Sequence, residues 1–155
     1  MTYEKLETLI KDIVEQSTTL KNKHTTEKAA PVNYVCIFTH SQNEYDTLSK
    51  IVKERGKVVD DSTPSGPILQ IPPIQTVSGA VQLLKIRKHD ADHPDRGDAD
   101  FTVADYNKFK ATYLSKPGFK LIERNGFEMI ELIDPEFEVR AYFSNPPLDK
   151  ELGLV

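Results

Sequence analysis

The sequence predicts an α+β domain in which an amphipathic helix precedes two βαβββ modules, each made of a strand, a helix and three further strands. Three observations support this prediction. Apolar residues recur at helical spacing over residues 2–22. The segments 32–88 and 98–144 then repeat one order of elements. Local strings also match, since EYDTLSKIV and GKVVDDS in the first half correspond to DYNKFKATY and GFKLIERNG in the second.

Length and composition indicate one globular domain over residues 1–155. The chain is 38% hydrophobic and 28% charged, which suffices for a core without disulfides or metals. A net charge of -4 argues against a nucleic-acid binder. The N-terminus is charged, unlike a signal peptide, and no apolar stretch approaches the roughly 20 residues that span a bilayer. We therefore expect a cytoplasmic protein that binds neither nucleic acid nor membranes.

The N-terminal helix is expected to bury its apolar stripe against the core or against a second subunit. After a polar linker, the first module follows. Its strands are predicted at 32–40, 57–62, 68–74 and 78–88, with a helix at 41–56. Gly56 is expected to cap that helix in the left-handed conformation. Pro72 and Pro73 favour an edge strand or a bulge. Cys36 lies in an apolar run and is interpreted as a buried, inert thiol.

The second module repeats the pattern. Its strands are predicted at 98–103, 119–124, 127–134 and 137–144, with a helix at 104–118. Asn125 and Gly126 form a strong hairpin signal. Glu128 and Glu131 fall on opposite faces of one strand and so cannot form an acid–base couple. The connector 89–97 is rich in Asp and His; a charged linker is favoured over a metal-binding loop, since its spacing matches no defined motif.

The repeated modules, together with the strings DADFTVADY and IDPEFEV, resemble the vicinal-oxygen-chelate superfamily of glyoxalase, bleomycin-resistance and extradiol-dioxygenase-like proteins. The resemblance covers residues 32–144 and implies a cupped mixed sheet with one cavity between the modules. The ligand positions that it implies are Tyr34, Lys85 or Arg87, Asp98 or Asp100, and Glu138 or Arg140. The superfamily usually has His, Gln and Glu there. No metal site and no cofactor are therefore predicted, although Asp98 or Asp100 with a Glu could hold a divalent metal.

Strand alternation points to the same side chains independently. Asp98 and Asp100 share one strand face, Glu138, Arg140 and Tyr142 share another, and Lys85 and Arg87 share a third. Carboxylates and guanidinium groups gathered in a cup would form an ion-paired cavity for an anionic or hydroxylated molecule. An ordinary half-solvated sheet with cross-strand ion pairs would show the same pattern. Both interpretations remain open at this point.

The resulting hypothesis is a glyoxalase/bleomycin-resistance-like protein that binds a small polar or anionic molecule between its modules. It could be a metal-dependent lyase, isomerase or dioxygenase, but no catalytic residue is assigned. The candidate ligand-binding residues are Tyr34, Arg87, Asp98, Asp100, Glu138 and Arg140. The alternative is a non-catalytic structural or interaction protein that forms a homodimer through its N-terminal helix or a sheet edge.

Overall fold

A single mixed sheet of eight strands is the centre of the structure, a computed structural model that describes residues 1–154. In chain order the elements are α1 (Tyr3–His24), β1 (Val32–Phe38), α2 (Gln42–Val52), β2 (Lys57–Asp60), β3 (Ile68–Thr76), β4 (Gly79–Arg87), β5 (Gly97–Phe101), α3 (Tyr106–Tyr113), β6 (Phe119–Arg124), β7 (Phe127–Leu132), β8 (Val139–Asn145) and α4 (Leu148–Glu151). The predicted α+β class is confirmed.

The two modules are joined edge to edge, in the strand order β2-β3-β4-β1-β5-β8-β7-β6. Within each module the first strand pairs in parallel with the fourth, β1 with β4 and β5 with β8. The two first strands, β1 and β5, pair antiparallel and join the modules. Both halves have the same connectivity, so the predicted repeat is confirmed. The sheet is open, with β2 and β6 at its edges.

The N-terminal helix α1 packs in the core of its own chain. Thr2 caps it by accepting a hydrogen bond from the Lys5 backbone N–H at 3.2 Å. Its apolar stripe is at most 4% exposed at Tyr3, Leu6, Ile10, Ile13, Val14 and Leu20. The stripe contacts β1, β3, β5 and β8, which belong to both modules. Of the two expected partners for this stripe, the chain's own core is the one observed.

The structure corrects the expected cap at Gly56 and decides between the two expectations for β3, an edge strand or a bulge. Gly56 does not have a positive φ, so the predicted left-handed cap is wrong. A glycine is needed there because a Cβ would lie 2.8 Å from the carbonyl oxygen of Val52. The strand β3 is not a sheet edge, since β2 pairs with it as far as Gln70. Its ladder with β4 is interrupted between Gln70 and Ile74, which confirms the bulge predicted from Pro72 and Pro73.

The helices α1, α2 and α3 lie on one face of the sheet. A single apolar cluster joins them to the strand residues Val35, Ile37, Leu84, Ile86, Ala99, Phe101, Ala141 and Phe143. The alternate positions of β1, β5 and β8 therefore point to the opposite face. Among residues 1–154, no helix is long and apolar enough to cross a membrane.

Replacing Ile10 by Ala should lower the free energy of unfolding by about 2–5 kcal/mol, because it leaves a cavity between α1 and the sheet. The matched control, Lys11→Ala, removes an exposed side chain on the same helix and should change stability by less than about 0.5 kcal/mol. Urea titration measures both values. Equal effects of the two substitutions would contradict the packing of α1 described above.

Candidate functional site

Two rows of side chains cross the middle of the sheet on the face away from the helices, which we call the cup face. In the first row Lys85, Cys36, Asp98 and Arg140 are neighbours on β4, β1, β5 and β8. In the second row Tyr34, Asp100, Tyr142 and Glu131 are neighbours on β1, β5, β8 and β7. Tyr34 is half-buried, and every other member is at most 8% exposed. The middle of the cup face is thus polar and largely dry.

Gly97 allows the two modules to meet closely at these rows. It pairs with Ile37 at the start of β5. A Cβ at this position would lie 2.3 Å from the carbonyl oxygen of Cys36, far inside contact distance. Only glycine therefore fits against β1 here, and the next residue, Asp98, is placed directly beside Cys36.

Arg140 is held by acidic groups on two sides. Its Nε donates to Asp95 Oδ2 at 3.0 Å and its Nη1 to Glu131 Oε2 at 3.3 Å, while its Nη2 donates to the carbonyl of Asp92 at 2.7 Å. The Tyr142 hydroxyl donates to the same Glu131 oxygen at 2.6 Å. Because a buried guanidinium is costly unless paired, these bonds are what allow Arg140 to lie in the cup.

The acidic connector folds back onto the charged rows of the cup. Besides the Asp92 and Asp95 contacts to Arg140, Asp90 lies 3.5 Å from Arg87 Nη2 and 3.2 Å from the Nδ1 of His93. The His93 ring meets the ring of Phe38 edge-on, with the centroids 5.0 Å apart. Burial lowers the pKa of His93, and Arg87 and Arg140 act in the same direction. The connector therefore supplies counter-charges to the cup.

Asp100 is bonded to β8, its neighbour in the sheet. Its carboxyl accepts hydrogen bonds from the backbone N–H of Ser144, at 3.2 Å, and from the Ser144 hydroxyl. Burial raises the pKa of Asp100 to about 7, although the two Ser144 bonds favour the ionised form. Asp100 thus gains its charge near neutral pH.

Asp98 differs from the other acids of the cup because it accepts no hydrogen bond from any group in residues 1–154, although it is only 6% exposed. Burial and the neighbouring Asp100 raise its pKa well above the ordinary range, against the opposing effect of Arg140, Arg87 and Lys85. A buried carboxyl without a partner normally costs stability. Asp98 is therefore the strongest sign of a functional position on this face.

Arg87 is the second group with unused hydrogen-bonding capacity. Its Nε is buried and has no partner within residues 1–154, while its only ion pair is the 3.5 Å contact to Asp90. About a quarter of its side chain, 25%, is exposed. Arg87 can therefore still donate to an incoming anion without breaking a strong internal bond.

Tyr34 and Cys36 form the floor between the charged groups. Burial raises the pKa of the Tyr34 hydroxyl well above its usual value, and the neighbouring thiol of Cys36 and the two acids of β5 act in the same direction. Burial also raises the pKa of Cys36. The Cys36 thiol thus stays protonated and is a poor nucleophile, which agrees with its interpretation as an inert buried cysteine.

Glu138 is the one predicted site residue that the structure places outside the cup. The strand β8 begins one residue later, at Val139, so alternation along β8 does not extend to Glu138. Glu138 is exposed and lines an open groove of about 470 Å³ between α1 and the loop before β8. The other predicted residues, Tyr34, Arg87, Asp98, Asp100 and Arg140, lie on the cup face.

The structure adds residues that the sequence did not assign to the site. Glu131 lies in the second row, whereas Glu128 bonds to Tyr106 of α3 at 2.8 Å, so their predicted opposite faces are confirmed. Asp95 binds Arg140 from the connector. The Asn-Gly turn sets the register of β6 and β7, so the sequence could have been used to predict the sheet face of Glu131. Asp95 belongs to the Asp- and His-rich connector, but no sequence signal indicated that it would bind Arg140.

A cavity of about 270 Å³ lies beside the second row, under the C-terminal segment. It is lined by Val32, Asn33, Gln70, Ala80, Gln82, Leu83, Asp149 and Leu154. The Asn33 side chain accepts a hydrogen bond from the Leu148 backbone N–H at 3.0 Å, which fixes α4 against β1. Asp149 is near enough to Asp100 to favour its protonated form. This cavity offers carboxamides and one carboxylate next to the charged rows.

The donor set of the cup does not fit a divalent metal. The positions that the superfamily resemblance assigns to metal ligands hold Tyr34, Lys85, Asp98 and Arg140. Lysine and arginine have no lone pair to donate at neutral pH, and their charges repel a cation. Within residues 1–154, no group of three or more His, Cys, Asp or Glu side chains could hold a metal ion. The cup is instead built around cations.

Known structures share the arrangement described here. The structural-genomics protein EC4020 superposes with a TM-score of 0.70 at 10% identity, covering 94% of this chain and 88% of that one. The chain shares the fold of that protein. The match covers more of the chain than the paired βαβββ modules predicted from the sequence.

Two other structures match with lower scores. Glyoxalase I from Zea mays gives a TM-score of 0.44 at 16% identity over 75% of this chain and 43% of that one. A mutant 4-hydroxymandelate synthase from Streptomyces coelicolor gives 0.35 at 9% identity over 80% of this chain and 50% of that one. The chain thus spans half or less of these two proteins. No protein-family model and no curated protein matches the sequence.

Replacing Arg140 by Met should destabilise the protein by about 3–5 kcal/mol, because Asp95 and Glu131 would remain buried without their counter-charge. The control, Arg124→Met, alters an exposed arginine at the β6–β7 hairpin and should cost less than about 0.5 kcal/mol. Denaturant unfolding measures both. If the free energy of unfolding falls as little in Arg140→Met as in the control, the hydrogen bonds of Arg140 contribute little net stability.

Replacing Asp100 by Asn should alter how stability depends on pH. The folded-state pKa of about 7 is above the unfolded value of about 3.9, so the unfolded state ionises first and wild-type stability falls as pH rises from about 4 to 7. The variant should lose this decline, worth about 1.4 kcal/mol per pKa unit. Unfolding at pH 4, 5.5, 7 and 8 tests this, with the exposed Asp61→Asn as control. Parallel pH profiles for Asp100→Asn and wild type would contradict the buried, partly protonated Asp100.

Proposed function

We propose that the cup binds a small organic anion, with a carboxylate or phosphate group as the charged part of the ligand. The observation that carries this proposal is the unused hydrogen-bonding capacity of the dry cup face. The Nε of Arg87 is buried without a partner, and no group in residues 1–154 donates a hydrogen bond to the 6% exposed Asp98. Buried polar groups are normally satisfied, so these two favour a partner that comes from outside the chain.

The charges of the cup favour an anion as that partner. Lys85, Arg87 and Arg140 surround Asp98, and of these only Arg140 has its charge fully matched by nearby acids. An arginine offers a planar pair of donors that suits a carboxylate or a phosphate. Arg87 has an N–H group without a hydrogen-bond partner, so Arg87 would bind the charged group of the ligand.

The hydroxyl or carbonyl part of the ligand would face Asp98 and Tyr34. A protonated Asp98 can donate a hydrogen bond to such an oxygen, and burial together with Asp100 favours that protonated form. The vicinal-oxygen-chelate fold, shared by glyoxalase I and 4-hydroxymandelate synthase, supports a pocket between the modules as the place for a small oxygenated molecule. Lyase, isomerase or dioxygenase chemistry on that molecule remains part of this proposal.

The test is a thermal-shift scan with acetate, lactate, pyruvate and inorganic phosphate. A ligand present at 100 times its Kd should stabilise the protein by about 2.7 kcal/mol, or roughly 5–10 °C in Tm. Arg87→Met should abolish this shift while keeping the unliganded Tm within a few degrees, since Arg87 has only one long ion pair to lose.

Lys88→Met is the matched control, because Lys88 is an exposed cation next to Arg87 in the sequence. This variant should keep the full ligand-induced shift. A shift that Arg87→Met retains, or that Lys88→Met loses equally, would point to general charge screening and away from the cup. If no anion of the panel shifts Tm, the proposal of an anion site fails.

Homodimerisation stays a prediction, as does a cytoplasmic location. The apolar stripe of α1 is buried within its own chain, so a dimer would have to use another surface, such as the edge strands β2 and β6. The exposed Val58 on β2, at 43%, is an apolar edge residue that favours such a contact. The mass of the native protein in solution decides the question.

A further inference from the structure

Lys85 is a buried lysine without a carboxylate partner. It lies on β4, is 7% exposed, and its Nζ has one hydrogen bond within residues 1–154, to Thr63 Oγ1 at 3.2 Å. No Asp or Glu oxygen of the same residues lies within 4.0 Å of this nitrogen, as an ion pair would require. Buried lysines are nearly always paired, because an unpaired ammonium in a dry site is costly.

Burial lowers the pKa of Lys85, and the nearby Arg87 acts in the same direction, whereas Cys36, Asp98 and Asp60 oppose the shift. The neutral amine therefore forms more readily at Lys85 than at an exposed lysine. A neutral amine has a lone pair, so it is a nucleophile toward carbonyl groups, whereas an ammonium is not.

Two groups on the same sheet face could assist a reaction at Lys85: Asp98 as a proton donor and Arg87 as the group that binds a carboxylate. Asp98 is in the same row, two strands away across the small side chain of Cys36, which corresponds to about 10 Å between backbones. Arg87 is two residues further along β4 on the same face, about 7 Å away. The amine, the guanidinium and the carboxyl therefore lie on one face of the sheet, with the Cys36 thiol between the amine and the carboxyl.

We infer that Lys85 forms an imine with a small 2-oxo acid whose carboxylate is held by Arg87. This inference rests on the proposed anion site and names its substrate class. The match is geometric, since a 2-oxo acid carries its carbonyl directly next to its carboxylate, just as the amine and the guanidinium are neighbours on β4.

The chemical step balances with the groups present. The Nζ lone pair attacks the carbonyl carbon, and the proton lost from nitrogen goes to the carbonyl oxygen to give a carbinolamine. Asp98, in its protonated form, then gives a proton to that hydroxyl. Water leaves, a protonated imine forms on Lys85, and Asp98 becomes a carboxylate beside it. No oxidant, reductant or metal is needed.

The test is reductive trapping on the full chain. Pyruvate and glyoxylate are each incubated with the protein and sodium cyanoborohydride at pH 7, and intact mass and peptide mapping locate the product. We expect one reduced adduct per chain on Lys85, formed several times faster than on any exposed lysine, because those amines are protonated at this pH. The Lys85→Arg variant has no nucleophilic amine at this position and should form no such adduct.

Lys88→Arg is the matched control and should retain the adduct on Lys85, since Lys88 is exposed. Lys85→Met provides a second loss variant in case arginine disturbs the cup, and circular dichroism checks that both fold. An adduct spread over exposed lysines, or one that persists in both Lys85 variants, overturns the inference.

Failure of the inference can be told apart from failure of the anion site. If pyruvate raises Tm in wild type and Lys85→Met but leaves no adduct, the imine is overturned and the anion site stands. If pyruvate neither raises Tm nor leaves an adduct, the imine is overturned, and the remaining anions of the thermal-shift panel decide the anion site.

Discussion

The antiparallel pairing of β1 with β5 is the constraint on which the rest of this structure depends. It converts two four-stranded modules into one sheet and gives that sheet a polar middle. Gly97 permits the pairing because any side chain there would collide with the Cys36 carbonyl. The α1 stripe then stabilises the junction from the other face by contacting strands of both modules. The site is therefore a property of the junction and not of either module alone.

Charged side chains in the dry middle of a sheet are costly unless they are paired, and here only some of them are. Arg140 is matched by Asp95 and Glu131, and Asp100 by Ser144. Asp98 and Lys85 are left without charged partners at hydrogen-bond distance, although both are buried. Stability alone would favour apolar residues at such positions. Their unpaired state is better explained by binding or chemistry, which uses groups that the fold leaves unsatisfied.

The positions at which the sequence resemblance implies metal ligands hold side chains of a different chemistry here. Arg87 and Arg140 bring fixed positive charge, Lys85 brings an amine whose pKa burial lowers, and Asp98 and Tyr34 bring groups whose pKa burial raises. Such a set can bind an anion, orient it and move a proton. A fold therefore does not transfer its usual chemistry when the residues at the junction change.

The sequence alone determined the order of elements, because apolar periodicity and turn signals such as Asn125-Gly126 are local properties. It also placed Asp98, Asp100, Arg87 and Arg140 on polar strand faces by alternation. It misjudged Glu138, since the start of β8 at Val139 depends on packing. Only the tertiary structure decided that the acidic connector folds back onto Arg140. It also decided that Lys85 and Asp98 lie in one row, with Cys36 between them. These are contacts between distant segments, and no local pattern encodes which strands become neighbours.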